Sequence, residues 1–154
     1  MIKKPLYLAM TAQLLVSTMS DAGTKIIVKN GEKLAGADSV TLVEDYGSFK
    51  LYELDRTKAL NYAAKSQNIS VVSDMNELLF EAFRFDTQSS NVKSQLMQEA
   101  KYVDGAGIHV IQFVGPIKDT WLNAVEESGA KLIHYVANNG YLVWTDEAAR
   151  QQLD

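Results

Sequence analysis

From Gly107 to Thr145 the chain runs G-I-H-V-I-Q-F-V-G-P-I-K-D-T-W-L-N-A-V-E-E-S-G-A-K-L-I-H-Y-V-A-N-N-G-Y-L-V-W-T, and no other stretch limits the possible folds so strongly. Ile108 to Val114 is apolar and β-branched except at His109 and Gln112, as in a buried strand. Gly115-Pro116 ends it, because proline has no amide for a continuing ladder. Asp119 is placed to cap a helix whose Trp121, Leu122 and Val125 form one apolar stripe, and Gly129 stands where a helix usually closes through a left-handed residue. Lys131 to Val136 reads as a second strand, Asn138-Asn139-Gly140 as a hairpin turn needing positive φ, Tyr141 to Trp144 as a third strand, and Asp146 to Leu153 as a second helix. The order βαββα is a split βαβ without its last strand, so the fold class is α+β, a ferredoxin-like βαββα(β) sandwich.

Upstream the same grammar recurs. Thr24 to Lys29 reads as a strand with a turn at Asn30-Gly31; Ser39 to Val43 and Phe49 to Leu54 form a hairpin around Tyr46-Gly47-Ser48. Arg56 to Ser66 is a helix with Ala59, Leu60 and Ala63 on one side, Ile69 to Val72 a strand, and Leu78 to Phe85 a short apolar segment. Hairpin, helix, strand is also the order that starts at Lys131, so the halves read as two related units, the second truncated. The expected division is 1–22, 25–85, a polar linker over 86–106 with a short helix from Val92 to Tyr102, and 107–154.

The first 22 residues have the layout of a secretory leader: Lys3 and Lys4, the mostly apolar run Pro5 to Val16, then Ser20-Asp21-Ala22. The competing reading is an amphipathic first helix. The run is too short for a stable membrane span. A net charge of −4 argues against a nucleic-acid groove, and a chain with no cysteine has neither disulfides nor thiolate chemistry.

Two patches resemble the N-terminal, non-catalytic region of bacterial subtilisin-like serine peptidases. The first is I-Q-F-V-G-P-I-K-D-T-W-L, Ile111 to Leu122, similar to a V-Q-F-x-G-P-I-x-x-x-W corner. The second, H-Y-V-A-N-N-G-Y-L-V-W from His134 to Trp144, is similar to a Y-x-P-x-N-x-Y-L-V hairpin, with Ala137 where that pattern has proline. Asp45 to Leu54, D-Y-G-S-F-K-L-Y-E-L, also looks like a segment that precedes this module. The resemblance spans Val40 to Leu153. It implies a prodomain-like sandwich, secreted, that lays its open sheet face on a subtilase catalytic domain and assists its folding or docks on it. The other reading is a stand-alone ferredoxin-like binding or dimerisation module.

A subtilase triad is not written in these residues: D-[TS]-G, H-G-T and G-T-S-M-A are all missing. A nucleophile without its base is inert at neutral pH, so no peptidase activity is expected. His109 and His134 each lie in an apolar strand away from carboxylates at ligand spacing, so no metal and no cofactor are expected.

Strand parity gives a candidate contact face. His109, Ile111 and Phe113 are expected under the helices, with Val110 and Gln112 on the open side. Ile133, Tyr135, Tyr141 and Val143 are expected inside, with His134, Leu142 and Trp144 open. The candidate partner-binding set is therefore Val110, Gln112, His134, Leu142 and Trp144.

Overall fold

A computed structural model describes residues 6–8, 23–34, 40–81, 84–89 and 105–153. Along the chain come β1 (Leu6–Leu8), β2 (Thr24–Lys29), β3 (Thr41–Asp45), β4 (Phe49–Leu54), α1 (Arg56–Lys65), β5 (Ile69–Val71), β6 (Glu77–Leu79), β7 (Arg84–Asp86), β8 (Gly107–Gln112), α2 (Asp119–Glu127), β9 (Lys131–Val136), β10 (Gly140–Thr145) and α3 (Glu147–Leu153). They fall into two compact units, one spanning Val16–Met75, the other combining Met1–Leu15 with Asn76–Asp154. The fold is α+β with antiparallel sheets, as the alternation of strand and helix patterns predicts.

In the first unit the sheet order is β3-β4-β2-β5. The β3–β4 turn is set locally: Gly47 takes φ 78° while its amide donates to Asp45 Oδ1 at 2.8 Å, and Tyr46 stacks on Phe49 at 4.5 Å. Asp55 caps α1, its Oδ1 accepting from the amides of Thr57 at 2.9 Å and Lys58 at 3.2 Å. The core holds Ile26, Val28, Leu54, Ala59 and Ile69, with Tyr62 and Ala63 packed against it. The helical stripe is thus Ala59, Tyr62, Ala63, at i, i+3, i+4; Leu60, expected on that side, is 52% exposed because one residue along a helix turns it away by about 100°.

In the second unit the order is β1-β8-β10-β9, every neighbour antiparallel. Strands β8 and β9 flank β10, as a split βαβ requires. Asp119 is not the cap of α2: that place is held by Lys118, without a side-chain bond, and Asp119 lies in the first turn, where its charge suits the helix dipole. Gly129 closes the helix at φ 94°. Asn138 and Asn139 both lie near φ 66°–67°, the geometry of a two-residue turn that matches strand twist. Gly140 is needed for a different reason: a Cβ there would come 2.6 Å from Leu78 Cδ2. Asp146 caps α3, accepting from the Ala149 amide at 2.9 Å. Ile111, Phe113, Val125, Val143, Ala149 and Leu153 are buried, and Trp121 stacks on Phe113 with centroids 5.7 Å apart.

The two sheets share one plan. β3, β4, β2, β5 correspond in order to β9, β10, β8, β1, and each unit has an irregularity in the corresponding edge strand, at Val43 and at Ile133. The place beside β8 that corresponds to β5 is filled from the start of the chain: β1 pairs antiparallel with β8, Leu6 with Gln112 and Leu8 with Val110. Leu6–Leu8 lies within the leader-like stretch, the rest of which, 1–5 and 9–22, is outside the described residues, as are 90–104 with the expected helix Val92 to Tyr102. The expected linker does not begin at 86, since Asp86 belongs to β7 and Thr87 is buried.

Replacing Trp121 by alanine removes a large ring from this core and is expected to cost about 3–5 kcal/mol. Urea unfolding followed by circular dichroism checks it, the midpoint falling while the slope stays constant.

Candidate docking face

Residues directly opposite each other in an antiparallel sheet project to the same side. On the helix-covered side Tyr141 faces Ile111 and Val143 faces His109; on the other Gly140 faces Gln112, Leu142 faces Val110 and Trp144 faces Ile108. The second side is divided into two regions.

At the Gly140 end it is covered. Leu78 of β6 is fully buried, its Cδ2 lying over Gly140. Gln112, expected in the open, is 3% exposed. Its Nε2 donates to the carbonyls of Asn138 at 3.1 Å and Glu77 at 3.4 Å, and its Oε1 accepts from Thr87 Oγ1 at 2.5 Å. Thr87 Oγ1 is also 2.9 Å from the Asn76 carbonyl, so its single proton serves one acceptor at a time. Gln112 therefore belongs to an internal polar joint and leaves the candidate contact set.

At the Trp144 end the side is open. Trp144 is 37% exposed and Ile108 67% exposed, while Val110 and Leu142 beside them are half-buried. Lys131, opposite Trp144 on β9, carries its ammonium 5.4 Å from the indole centroid. His134, opposite Leu142, is exposed. Ile133 was expected inside but is 51% exposed, because the register slips between Leu142 and Val143 and leaves it as the extra residue of a bulge. Tyr135, also expected inside, is 49% exposed on the edge strand while meeting Tyr141 edge-on at 5.7 Å. The face thus gathers Ile108, Val110, Leu142 and Trp144 with Lys131 and His134 at its margin. Sequence reasoning missed Ile108 and Lys131, although Ile108 shares parity with Val110 and was legible from it.

His109 and His134 are on different strands with β10 between them, and their register partners, Val143 and Leu142, lie on opposite sides of the sheet. They do not share a site. Burial, and secondarily the charge of Arg150 on α3, hold the His109 pKa below its usual value. Among the described residues no group of three or more His, Asp or Glu is arranged to hold a metal, and no helix is long and apolar enough to cross a membrane.

Residues 79–154 match the family described as a domain of unknown function (DUF8729). That match starts at the last residue of β6 and takes in the candidate face but not β1. No curated protein and no solved structure matches the chain.

Gln112→Ala is expected to lower stability by about 1–3 kcal/mol, since it takes a donor from the half-buried Asn138 and Glu77 carbonyls while the Thr87 hydroxyl keeps the Asn76 carbonyl; a denaturant series measures it. His109 gives a pH dependence. The unfolded chain takes up its proton near pH 6.5, before the folded one, so stability is unaffected above about 6.5 and falls as the pH drops from there to the lowered folded value. In parallel thermal melts His109→Gln is expected to show a shallower loss over that window than the parent chain.

Proposed function

We propose that the second unit is a non-catalytic, prodomain-like module that docks its open sheet face on the catalytic domain of a secreted subtilisin-like serine peptidase and assists its folding. The observation that carries this reading is the partly exposed Trp144 paired with an even more exposed Ile108. An apolar patch of this kind, rimmed by polar residues, is characteristic of contact surfaces. Its position supports the choice of partner, because the residues that carry the subtilase resemblance build the same unit: Gln112, Phe113 and Trp121 around the strand-to-helix corner, Tyr135, Asn139 and Tyr141 around the hairpin.

Trp144→Glu tests the reading. It places a charge in the middle of the patch and is expected to abolish pull-down of a subtilase catalytic domain while leaving the far-ultraviolet circular dichroism unchanged. Retained pull-down by the folded variant overturns docking through this face. With no peptidase present, the same face closing on a second copy is the second reading, and the substitution then dissociates a dimer. Export belongs to the proposal. Removal of residues 1–22 would take β1 out of the sheet, so an intact mass of the mature chain that retains Leu6–Leu8 counts against it.

A further inference from the structure

β1 occupies a place that its own surroundings in the sequence do not supply. In the first unit the strand beside β2 is β5, which begins at Ile69 shortly after α1 ends at Lys65 and is anchored by Ile69 in the core. In the second unit the corresponding place beside β8 is taken by Leu6–Leu8, and all of Val16–Met75 lies between that strand and the rest of its sheet. A strand held there is specified by direction and register, Leu6 to Gln112, Tyr7 to Ile111 and Leu8 to Val110. A second copy of the chain presents the same three residues in the same order.

We propose that the edge of β8 is a strand-acceptor site filled reciprocally between two copies, Leu6–Leu8 of each pairing with Val110–Gln112 of the other. The physical ground is loop closure. Because Val16–Met75 is itself a compact unit, the connections on either side of it, not its full length, tether β1, and a tether of that kind gives an effective concentration of only about the millimolar range, which a second copy at high concentration can rival. Reciprocal exchange replaces two such closures by one association, with every backbone hydrogen bond of the closed form preserved, and gives a two-fold, self-limiting dimer. β5 has no such freedom, because a three-residue connection to α1 holds it in place. The inference concerns the chain that keeps residues 1–22 and is independent of docking through Trp144.

The natural chain has no cysteine, so introduced pairs report without ambiguity. Full-length Leu8→Cys and Val110→Cys variants, each with its intact N-terminus confirmed by mass, are unfolded, mixed, refolded together at high concentration and oxidised. Paired residues in antiparallel strands lie about 4.5–5.5 Å apart between Cα atoms, within disulfide reach. The expected product is a disulfide-linked dimer joining Cys at 8 of one copy to Cys at 110 of the other, identified by peptide mapping, and absent when Leu8→Cys is mixed with Leu60→Cys. The Leu8→Cys/Val110→Cys double variant is expected to shift from intramolecular to intermolecular closure as concentration rises. Closure within one chain at every concentration, with no cross-link in the mixture, overturns the exchange. Failure of the double variant to close at all, in a chain whose circular dichroism is unchanged, overturns the β1–β8 register on which it rests. Trp144→Glu is expected to leave the cross-link intact, which separates this contact from the docking face.

Discussion

The amide of Gln112 is where the second unit is joined. It sits at the end of β8 on the side of the sheet away from the helices, and three segments remote in sequence answer it: the hairpin turn at Asn138, β6 at Glu77 and the chain after β7 at Thr87. Burying an amide without partners costs roughly 1–3 kcal/mol, so the β6–β7 hairpin is held in place by a group that would be left exposed to an apolar environment without it. Leu78 adds the apolar half of the joint by lying on Gly140, where any side chain would collide with it. One polar residue and one missing side chain thus decide which half of this sheet side is covered.

The division into a covered and an open half is the part of the fold that the sequence conceals. Alternation along β8 gives the parity of Gln112 correctly, since it faces Gly140 and not the helices. Parity says nothing of what a distant hairpin lays over that side. The short polar-flanked run from Leu78 to Phe85 carries no periodicity strong enough to assign it a place. Ile133 failed for a related reason: period-two reasoning assumes an uninterrupted ladder, and a single bulged residue shifts everything beyond it. What was legible had local causes, such as the turn at Asn138-Asn139, the glycine that ends α2 and the inward places of Phe113 and Trp121. Asp119 marks the limit of local signals, for the same carboxylate favours the cap and the first turn of a helix, and the backbone chose the second.

The shared sheet order of the two units has a simple physical content. A hairpin, a strand at its side and a fourth strand beyond it make a four-stranded antiparallel sheet whatever segment supplies the fourth strand. The first unit supplies it from the residues after its helix, the second from the start of the chain. A helix follows the hairpin in both and buries one alanine, Ala59 in α1, which packs on β5 and β2, and Ala149 in α3. The helix between the first and second strands is present only in the second unit among the described residues, where α2 brings Trp121 and Val125 into the core. The difference between the units is therefore one of which helix and which strand closes a common sheet.

What the open half contributes to folding is small beside what it exposes. A cross-strand pair on a solvent side adds about 0.2–1 kcal/mol relative to alanine, and threonine or charged pairs reach much of that without presenting apolar surface. Ile108 opposite Trp144 on the two inner strands meets that need with the least polar choice available. The covered half shows that this unit does cover apolar residues on the same side where its own chain can reach them, by way of Leu78. Lys131 lies over the indole without burying it, holding the ring by cation–π attraction in a position still one-third open to water. A ring oriented in this way loses little side-chain freedom when a partner surface arrives, so the ordering cost that usually weakens an interface contact is already largely met. Sheet stability alone would be served by almost any β-former at position 144, and the proposed docking rests on the oriented, partly open ring that stands there instead.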